Sequence, residues 1–302
     1  MTLGQAPGAA SVSPRLRVPP GRRRAAARLG RSPGFTGYAL LTIVVLIGLI
    51  PIYYLVVVAA GDASTAQDPN MSWIPGPNLW TNIEHILGSS DIPFWKSVLN
   101  SVLVAVAVSV SVVFFSTLAG YAFAKLPFKG RRPLYVFVIA TTAVPTQLGV
   151  VPLYIVMSQL HLAGTLWSVI IPTLVNAFGV FWITQYLEGA LPSELIEAAR
   201  IDGANMFQTF LHVAFPAAWP AAAMLALFTF IQSWTNYFWP FITLNAQNPT
   251  LPVALSLLQA SHFIDYSLVF AGVLLATLPL VVLFVAAGRQ LVAGIMAGAV
   301  KG

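Results

Sequence analysis

The charged side chains that could do chemistry are concentrated in one short segment. Five of them fall within fifteen positions between two apolar runs, although charged residues make up only 8% of the 302-residue chain. They are Glu188, Glu194, Glu197, Arg200 and Asp202.

The four histidines are scattered over different loops, with neither H-x-x-x-H spacing nor a carboxylate at ligand spacing, so we predict no metal site. No G-x-S-x-G elbow or other catalytic set occurs, and we expect a non-catalytic chain.

Residues that bind ATP are missing from the sequence as well. A Walker A loop needs a lysine after a glycine-rich turn, and Lys96, Lys125, Lys129 and Lys301 all stand in other contexts. The chain has no cysteine, which excludes thiolate sites and disulfides. We therefore expect no cofactor here, and if ATP drives this protein, a partner chain binds the ATP and Mg²⁺.

The composition predicts an integral membrane protein. Apolar residues make up 58% of the chain and its mean hydropathy is +0.81, whereas soluble domains hold about 45–50% apolar residues. Alternating strands of the barrel type are absent from the sequence, so the predicted fold is all-α. Six stretches are long enough to cross a bilayer core of about 30 Å. They lie near Tyr38–Ala60, Val98–Ala124, Pro133–Met157, Trp167–Leu187, Ala217–Thr235 and Tyr266–Gly288.

Basic residues predict the orientation of these spans. Residues 1–34 carry seven arginines, no acid and little apolar surface, so we expect a disordered basic tail. Such a run can bind nucleic acid, but ahead of a membrane span it more commonly orients the chain and contacts anionic lipid. We therefore expect no nucleic-acid partner. With the N-terminus cytoplasmic, fourteen of the fifteen Lys and Arg lie inside and only Lys96 lies outside, and the C-terminus is cytoplasmic too.

The span centres contain no acid, which disfavours an ion-coupled carrier that works alone, because such carriers usually hold an ionisable relay in the bilayer. Sodium coupling through carbonyls and hydroxyls stays open, so a self-contained secondary transporter or channel is the alternative hypothesis.

Pro145 and Pro152 interrupt the third span and predict a kink in that helix. Such a kink is equally compatible with a gate and with ordinary helix packing.

Amides and aromatic rings near the spans could contact a neutral sugar or polyol in passage. For any single residue, an interhelical hydrogen bond or an interfacial anchor is the commoner role. The stretch "QSWTNYFW" (232–239) is nevertheless dense in both types. The candidate substrate path consists of Asn176, Gln232, Trp234, Asn236 and Tyr237.

The charged segment reads as two short helices joined by a turn. Ser193 is a good N-cap, and Glu194 and Glu197 suit the positive end of the first helix. Gly203 predicts a left-handed terminator, and Asn205 with Gln208 has capping-box spacing for a second helix.

On that second helix an apolar stripe is expected before Pro216 opens the next span: Phe207, Phe210, Leu211 and Ala214. The alternative is an amphipathic hairpin on the lipid surface, in which Glu197 pairs with Arg200. The four acids and one base of the segment favour docking against a protein, because interfacial helices usually present Lys and Arg.

The passage "EAARIDGANMFQTFLHVAFP" (197–216) resembles the loop signature of permease subunits of binding-protein-dependent ATP-binding-cassette (ABC) importers. That signature is E-A-A, three residues, G, nine residues and I-x-L-P. Glu197, Ala198, Ala199, Gly203 and Pro216 match it, while Val213 and Phe215 replace its Ile and Leu. Further stretches, "YAFAKLPFKGRR", "PSELIEAARIDGA", "SWTNYFWP" and "AGAVKG", resemble the carbohydrate-uptake branch, particularly the second permease of maltose-type transporters. The likeness covers about residues 35–302.

This resemblance implies a type I importer permease in the cytoplasmic membrane of a prokaryote. Its partners would be an ABC ATPase dimer, a second homologous permease and an extracytoplasmic sugar-binding protein. The ATPase-coupling residues would be Glu197, Ala198, Ala199, Asp202, Gly203 and Pro216. The outer loop that contacts the binding protein would contain Asn245, Gln247, Asn248, Pro249 and Pro252.

The same resemblance, with the spans, divides the chain into four parts. Residues 1–34 form the basic tail, and residues 35–95 contain the first span and an extracytoplasmic loop. Residues 96–291 form the core transmembrane domain, which includes the coupling loop 188–216. Residues 292–302 form a cytoplasmic C-terminal tail that would reach along the ATPase.

Overall fold

Every regular element in the computed structural model is a helix, within the residues that it describes, 34–67, 73–89, 92–259 and 264–299. Residues 1–33 of the predicted basic tail (1–34) and residues 300–302 of the predicted C-terminal tail (292–302) lie outside them. Three 3₁₀ turns, Thr65–Gln67, Thr146–Gly149 and Ile171–Thr173, and one π turn, Phe210–Ala214, accompany the α-helices. The α-helices are α1 Phe35–Ala59, α2 Leu79–Gly88, α3 Phe94–Lys125, α4 Arg131–Thr141, α5 Val150–Gln159, α6 Trp167–Ile170, α7 Ala177–Ala190, α8 Ser193–Ile201, α9 Met206–Thr209, α10 Phe215–Trp234, α11 Phe238–Thr243, α12 Leu251–Leu257 and α13 Tyr266–Ala299.

Among the residues that the structure describes, five helical stretches are long and apolar enough to cross a membrane. They are Phe35–Ala59, Phe94–Lys125, Trp167–Ala190, Met206–Trp234 and Tyr266–Gly288. The predicted third span, Pro133–Met157, is not one straight helix, because α4 and the stretch Thr146–Gln159 meet at 86°. The bend directly precedes Pro145, which disfavours helical geometry at Val144 and lacks a backbone donor. The described residues therefore contain six candidate spans only if this bent pair counts as one.

The predicted second short helix of the charged segment is not a separate helix. α9 passes through the π turn directly into α10, so one helical stretch runs from Met206 to Trp234. The predicted fifth span, which began at Ala217, was therefore too short. In a regular α-helix the ring of Pro216 would clash with the carbonyl of His212. The π turn lies at this point, and its wider helical turn explains how the helix continues without that clash.

The chain divides into two units, Met1–Tyr53 and Tyr54–Gly302, and the packing described below concerns the second. Its larger core cluster joins α3, α7 and α10, and a smaller one joins α2, α3, α12 and α13. α3 and α7 approach closely because both carry small residues at the crossing. A Cβ added at Gly120 would lie 2.7 Å from Cγ2 of Ile183, and one at Gly179 would overlap Oγ of Ser116.

Candidate functional site

The charged segment begins with α8, whose N-cap differs from the prediction. The helix starts at Ser193, so Pro192 is the N-cap residue, and no side chain caps the helix. The predicted capping role of Ser193 is therefore wrong. Pro192 has extended backbone angles (φ −61°, ψ 141°), which proline adopts readily. Glu194 lies in the first turn, where its negative charge favours the helix dipole.

α8 ends in a Schellman motif built on Gly203. The Ala204 N–H donates to the Ala199 carbonyl at 2.9 Å, and the Gly203 N–H donates to the Arg200 carbonyl at 3.0 Å. Gly203 has φ +85°, and nothing lies within 4 Å of the position of an added Cβ. Glycine is therefore favoured here by backbone conformation and not by lack of space.

The turn leads into α9 through the predicted capping box, which the structure confirms. The Gln208 N–H donates to Oδ1 of Asn205, and the Asn205 N–H donates to Oε1 of Gln208, both at 2.9 Å. Only half of the predicted apolar stripe is buried, since Phe210 and Ala214 are buried while Phe207 and Leu211 are exposed.

α8 presents an apolar stripe edged by acids. Ile196 anchors the helix, being 4% exposed and part of the larger core cluster. On the outer side, Leu195, Ala198 and Ile201 follow one another at i, i+3 and i+6, and all three are exposed. We call these three residues the α8 stripe. Leu195 and Ile201 were not among the predicted coupling residues, although their helical spacing with Ala198 is visible in the sequence.

The carboxylates beside the α8 stripe, Glu194, Glu197 and Asp202, are exposed. Among the residues that the structure describes, no ion pair joins Glu197 to Arg200, so the intrahelical pair of the alternative hypothesis does not form here. Ala199 is half-buried. Pro216 is the second residue of α10. Of the six predicted coupling residues, five are exposed at the surface of this chain: Glu197, Ala198, Asp202, Gly203 and Pro216.

The predicted binding-protein loop lies at the opposite end of α3 from α8. Lys96 at the beginning of α3 donates to the Gln247 carbonyl at 2.8 Å, whereas Lys125 at its end donates to the Glu188 carbonyl at 3.3 Å. A helix of 32 residues is about 48 Å long at 1.5 Å per residue. The two predicted contact regions thus lie at opposite ends of a helix that is long enough to cross a bilayer core of about 30 Å.

Hydrogen bonds hold this loop firmly on α3. Asn100 donates to Oδ1 of Asn248 at 3.0 Å and to the Pro249 carbonyl at 2.9 Å. The Leu251 N–H donates to Oγ of Ser101 at 2.8 Å. Not all predicted loop contacts are accessible. Asn245 and Gln247 are exposed, Asn248 and Pro252 are half-buried, and Pro249 is buried.

The predicted substrate-path residues do not form one group. Trp234 and Tyr237 line a cavity of about 460 Å³ together with Pro252, Gln259 and Thr277, and none of the thirteen residues around it is charged. The indole of Trp234 donates to the Ala276 carbonyl at 3.1 Å, so its only donor is already used. Gln232, exposed, and Asn236, half-buried, are not part of the cavity lining.

Asn176 lies elsewhere, at a break in the fourth span. The helix unwinds between Thr173 and α7, and Oδ1 of Asn176 accepts from the N–H groups of Phe178 (2.8 Å) and Gly179 (3.3 Å). Oγ of Ser111, near the middle of α3, donates to the freed Leu174 carbonyl at 3.0 Å. Asn176 therefore has a helix-capping function, and its role in a substrate path stays a prediction.

Comparison with known proteins supports the expected family. Residues 113–295 match the model of the binding-protein-dependent transport system inner membrane component family. The chain is 31% identical over 270 residues (87% of this chain, 96% of the relative) to the arabinooligosaccharides transport system permease protein AraQ of Halalkalibacterium halodurans. It is 30% identical over 274 residues (90% and 97%) to the lactose transport system permease protein LacG of Rhizobium radiobacter. It is 32% identical over 266 residues (86% and 94%) to the sn-glycerol-3-phosphate transport system permease protein UgpE of Yersinia pestis.

The fold has a solved counterpart as well. A chain of a bacterial ABC transporter involved in the import of the acidic polysaccharide alginate superposes with a TM-score of 0.70 at 24% identity, covering 85% of this chain and 95% of the other. The family match includes α8 and its Schellman turn, and it covers more than half of the chain. The predicted family is thus confirmed, and this multi-pass chain of the inner membrane belongs to the binding-protein-dependent transport system inner membrane component family.

Proposed function

We propose that this chain forms, with a second homologous permease, the path of a sugar through an ABC importer. In this proposal α8 docks against a separate ATPase dimer, and the loop 245–252 meets an extracytoplasmic sugar-binding protein. The single observation that carries the proposal is the exposed α8 stripe. An exposed apolar row bordered by carboxylates suits a protein groove with basic edges better than an anionic lipid surface.

The orientation follows from the ends of α3. Lys125, Lys129, Arg131 and Arg132 lie at the end that carries Glu188 and α8, and Lys96 lies at the other end. Because basic residues accumulate on the cytoplasmic side, α8 faces the cytoplasm in this proposal. The bent pair α4 and α5 counts as one crossing, which gives six spans and two cytoplasmic termini.

The helices offer a direct mechanical route from the ATPase to the cavity. α8 is joined through the Gly203 turn and the Asn205 capping box to the helical stretch Met206–Trp234, which is about 43 Å long. That stretch ends at Trp234, which lines the cavity. A displacement of α8 by closing ATPases would move this stretch as a rigid body and shift the population toward an outward-open state.

The proposed cargo is a neutral di- or oligosaccharide. Among the described residues, the lining of the cavity beside Trp234 contains Tyr237, Gln259 and Thr277 but no Lys or Arg that would pair with a phosphate or carboxylate. Its size, about 460 Å³, is in the range of small-molecule sites. Titrating the copurified binding protein with lactose, an arabinotriose and glycerol 3-phosphate would test this, and selective binding of glycerol 3-phosphate would contradict the neutral cargo.

Charge reversal tests the coupling role. Glu197→Lys should leave the chain inserted but abolish coupled ATP hydrolysis and uptake in proteoliposomes that hold the whole complex. Glu84→Lys is the matched control, since Glu84 is an exposed acid on α2 far along the chain from α8. Wild-type hydrolysis and uptake by the Glu197→Lys complex would contradict docking through α8.

The second candidate function is a self-contained secondary transporter or channel. The neutral lining of the cavity also suits a facilitated pathway, so this alternative has an observation in its favour. Liposomes that contain the chain alone decide between the two. Uptake or ion conductance without added ATPase would favour the alternative, whereas activity only in the complete complex would support the importer.

A further inference from the structure

A second cavity, of about 550 Å³, lies at the opposite end of α3 from the Trp234 cavity. It opens where α3 ends and α4 begins, and its walls include Phe128, Arg131, Arg132, Tyr135 and Glu188. Neither α8 nor the predicted substrate path contributes to these walls. The coupling proposal therefore leaves this site without a function.

Positive charge dominates the rim of this cavity. Arg131 and Arg132 line the cavity, Lys129 stands in the chain between the lining residues Phe128 and Gly130, and Glu188 is the only acid among the eight lining residues. Arg131 donates to the Ala124 carbonyl at 3.1 Å, and Lys125 donates to a carbonyl at the end of α7, so both are held in place. Lys129, Arg131 and Arg132 against Glu188 leave an excess of two positive charges around the cavity.

Lys129 and Arg132 are exposed, and within the part of the chain that the structure describes neither forms an ion pair. The Glu188 carboxylate is engaged instead by Gln185, whose Nε2 donates to Oε2 at 3.3 Å. Arg132 is also in the first turn of α4, where the helix dipole adds positive potential. The rim thus has two accessible cationic groups with no anion of their own.

Directly beyond the rim, α4 turns apolar and stays exposed. Leu134 and Phe137 are 49% and 65% exposed, and both lie on the helix that begins with Arg131 and Arg132. Phe123 packs on Phe128 and Tyr135 with ring centroids 5.9 and 5.3 Å apart, which gives the cavity a rigid aromatic floor. A cationic rim next to an exposed apolar wall matches an amphiphile and not a soluble anion.

We propose that this cavity binds the headgroup of an anionic phospholipid of the inner membrane. The phosphate would bind at Lys129 and Arg132, and an acyl chain would lie along Leu134 and Phe137. Basic pockets between helices at the membrane surface bind such headgroups by charge attraction that amounts to about 1 kcal/mol per Lys or Arg. The proposal needs only the membrane location of the chain and not its cargo or its ATPase.

The test is native mass spectrometry of the delipidated full-length chain with phosphatidylglycerol, with phosphatidylcholine and with inorganic phosphate. The wild type should bind phosphatidylglycerol in preference to phosphatidylcholine, and inorganic phosphate should not compete. Arg132→Gln should weaken phosphatidylglycerol binding about fivefold, the equivalent of one basic residue. Arg132→Lys should retain most of the binding, and Glu188→Gln should tighten it by removing the opposing charge.

Lys96→Gln is the matched control, because it removes one positive charge at the other end of α3. Equal losses in Lys96→Gln and Arg132→Gln would overturn the proposal, since they would show only a general effect of charge. Equal binding of the two lipids by the wild type, or competition by inorganic phosphate, would overturn it too. In the assembled complex, a photo-crosslinker at position 132 that labels a protein subunit instead of lipid would assign the cavity to a protein contact.

Discussion

The Gly203 turn offers the sharpest test of how α8 is held. Gly203 has φ +85° and open space around the position of a Cβ, so Gly203→Ala changes backbone strain without a steric clash. A non-glycine residue in the left-handed region costs about 1–2 kcal/mol. Because 1–2 kcal/mol corresponds to a factor of about 5–30 in an equilibrium, the open form of the turn should become more populated by that factor.

Hydrogen exchange reads this opening directly. The N–H groups of residues 203 and 204 donate to the carbonyls of Arg200 and Ala199, so their exchange should accelerate about 5–30-fold in Gly203→Ala. Gly203→Asn should change the rate less, because Asn tolerates the left-handed region. We expect Gly203→Val to be worse than either and to lower sugar uptake per ATP hydrolysed in the assembled complex.

Gly149 provides the matched control. It stands in a turn with equally open space, but its φ is −89°, so Gly149→Ala adds no left-handed strain. Exchange in its own turn should therefore stay unaccelerated. We conclude that glycine is favoured at position 203 because of its left-handed backbone conformation. Unchanged exchange around residue 203 in Gly203→Ala would refute this conclusion, and so would an equal acceleration in Gly203→Asn.

Three further substitutions probe the contacts that position the site. Gly179→Ala should lower the thermal unfolding temperature in detergent, because the new Cβ overlaps Oγ of Ser116 and overpacking costs about 1–3 kcal/mol. Adding Ser116→Gly should restore part of the lost unfolding temperature. If the double variant is no more stable than Gly179→Ala, the clash lies elsewhere. Asn205→Ala should destabilise the start of α9 by about 1 kcal/mol in hydrogen-exchange measurements, whereas Asn205→Ser should stay close to wild type. Equal destabilisation by the two substitutions would rule out a stabilising capping box. Asn100→Ala should release the loop that carries Asn248 and weaken stimulation of ATP hydrolysis by the binding protein, and unchanged stimulation would contradict a role for that loop.

Features of the charged segment that depend on neighbouring residues were predictable from the sequence. The capping box of Asn205 and the left-handed Gly203 involve partners within five positions, and both appear in the structure. The prediction for Ser193 shows the limit of such rules. Ser193 was expected to cap α8, but the extended backbone of Pro192 makes Pro192 the N-cap residue, so the helix begins one residue earlier than predicted. The family was predictable for the same local reason, since its signature lies within twenty consecutive residues.

Features that depend on distant contacts were not predictable. Pro145 indicated a kink, but no local rule indicates an 86° bend. Asn176 was expected on a substrate path because it is an amide within a span. Its capping role became evident only with the break at Leu174, whose carbonyl is satisfied by Ser111, sixty-three positions earlier. Trp234 is similar, since its donor is used by Ala276 on α13.

The α8 stripe shows why the outer face of the proposed docking helix could be identified only in the structure. Leu195 and Ile196 are adjacent apolar residues on a short helix, and the sequence does not distinguish the core anchor from the exposed neighbour. Ile196 is 4% exposed and packs in the core cluster, which turns Leu195 and Ile201 outward, 51% and 86% exposed. Two large apolar side chains at such exposure, on a helix held by one buried anchor, favour a partner that covers them. The same anchor makes α8 movable, because a single buried side chain and the Gly203 turn resist its displacement far less than the packing that holds α3 against α7 and α10.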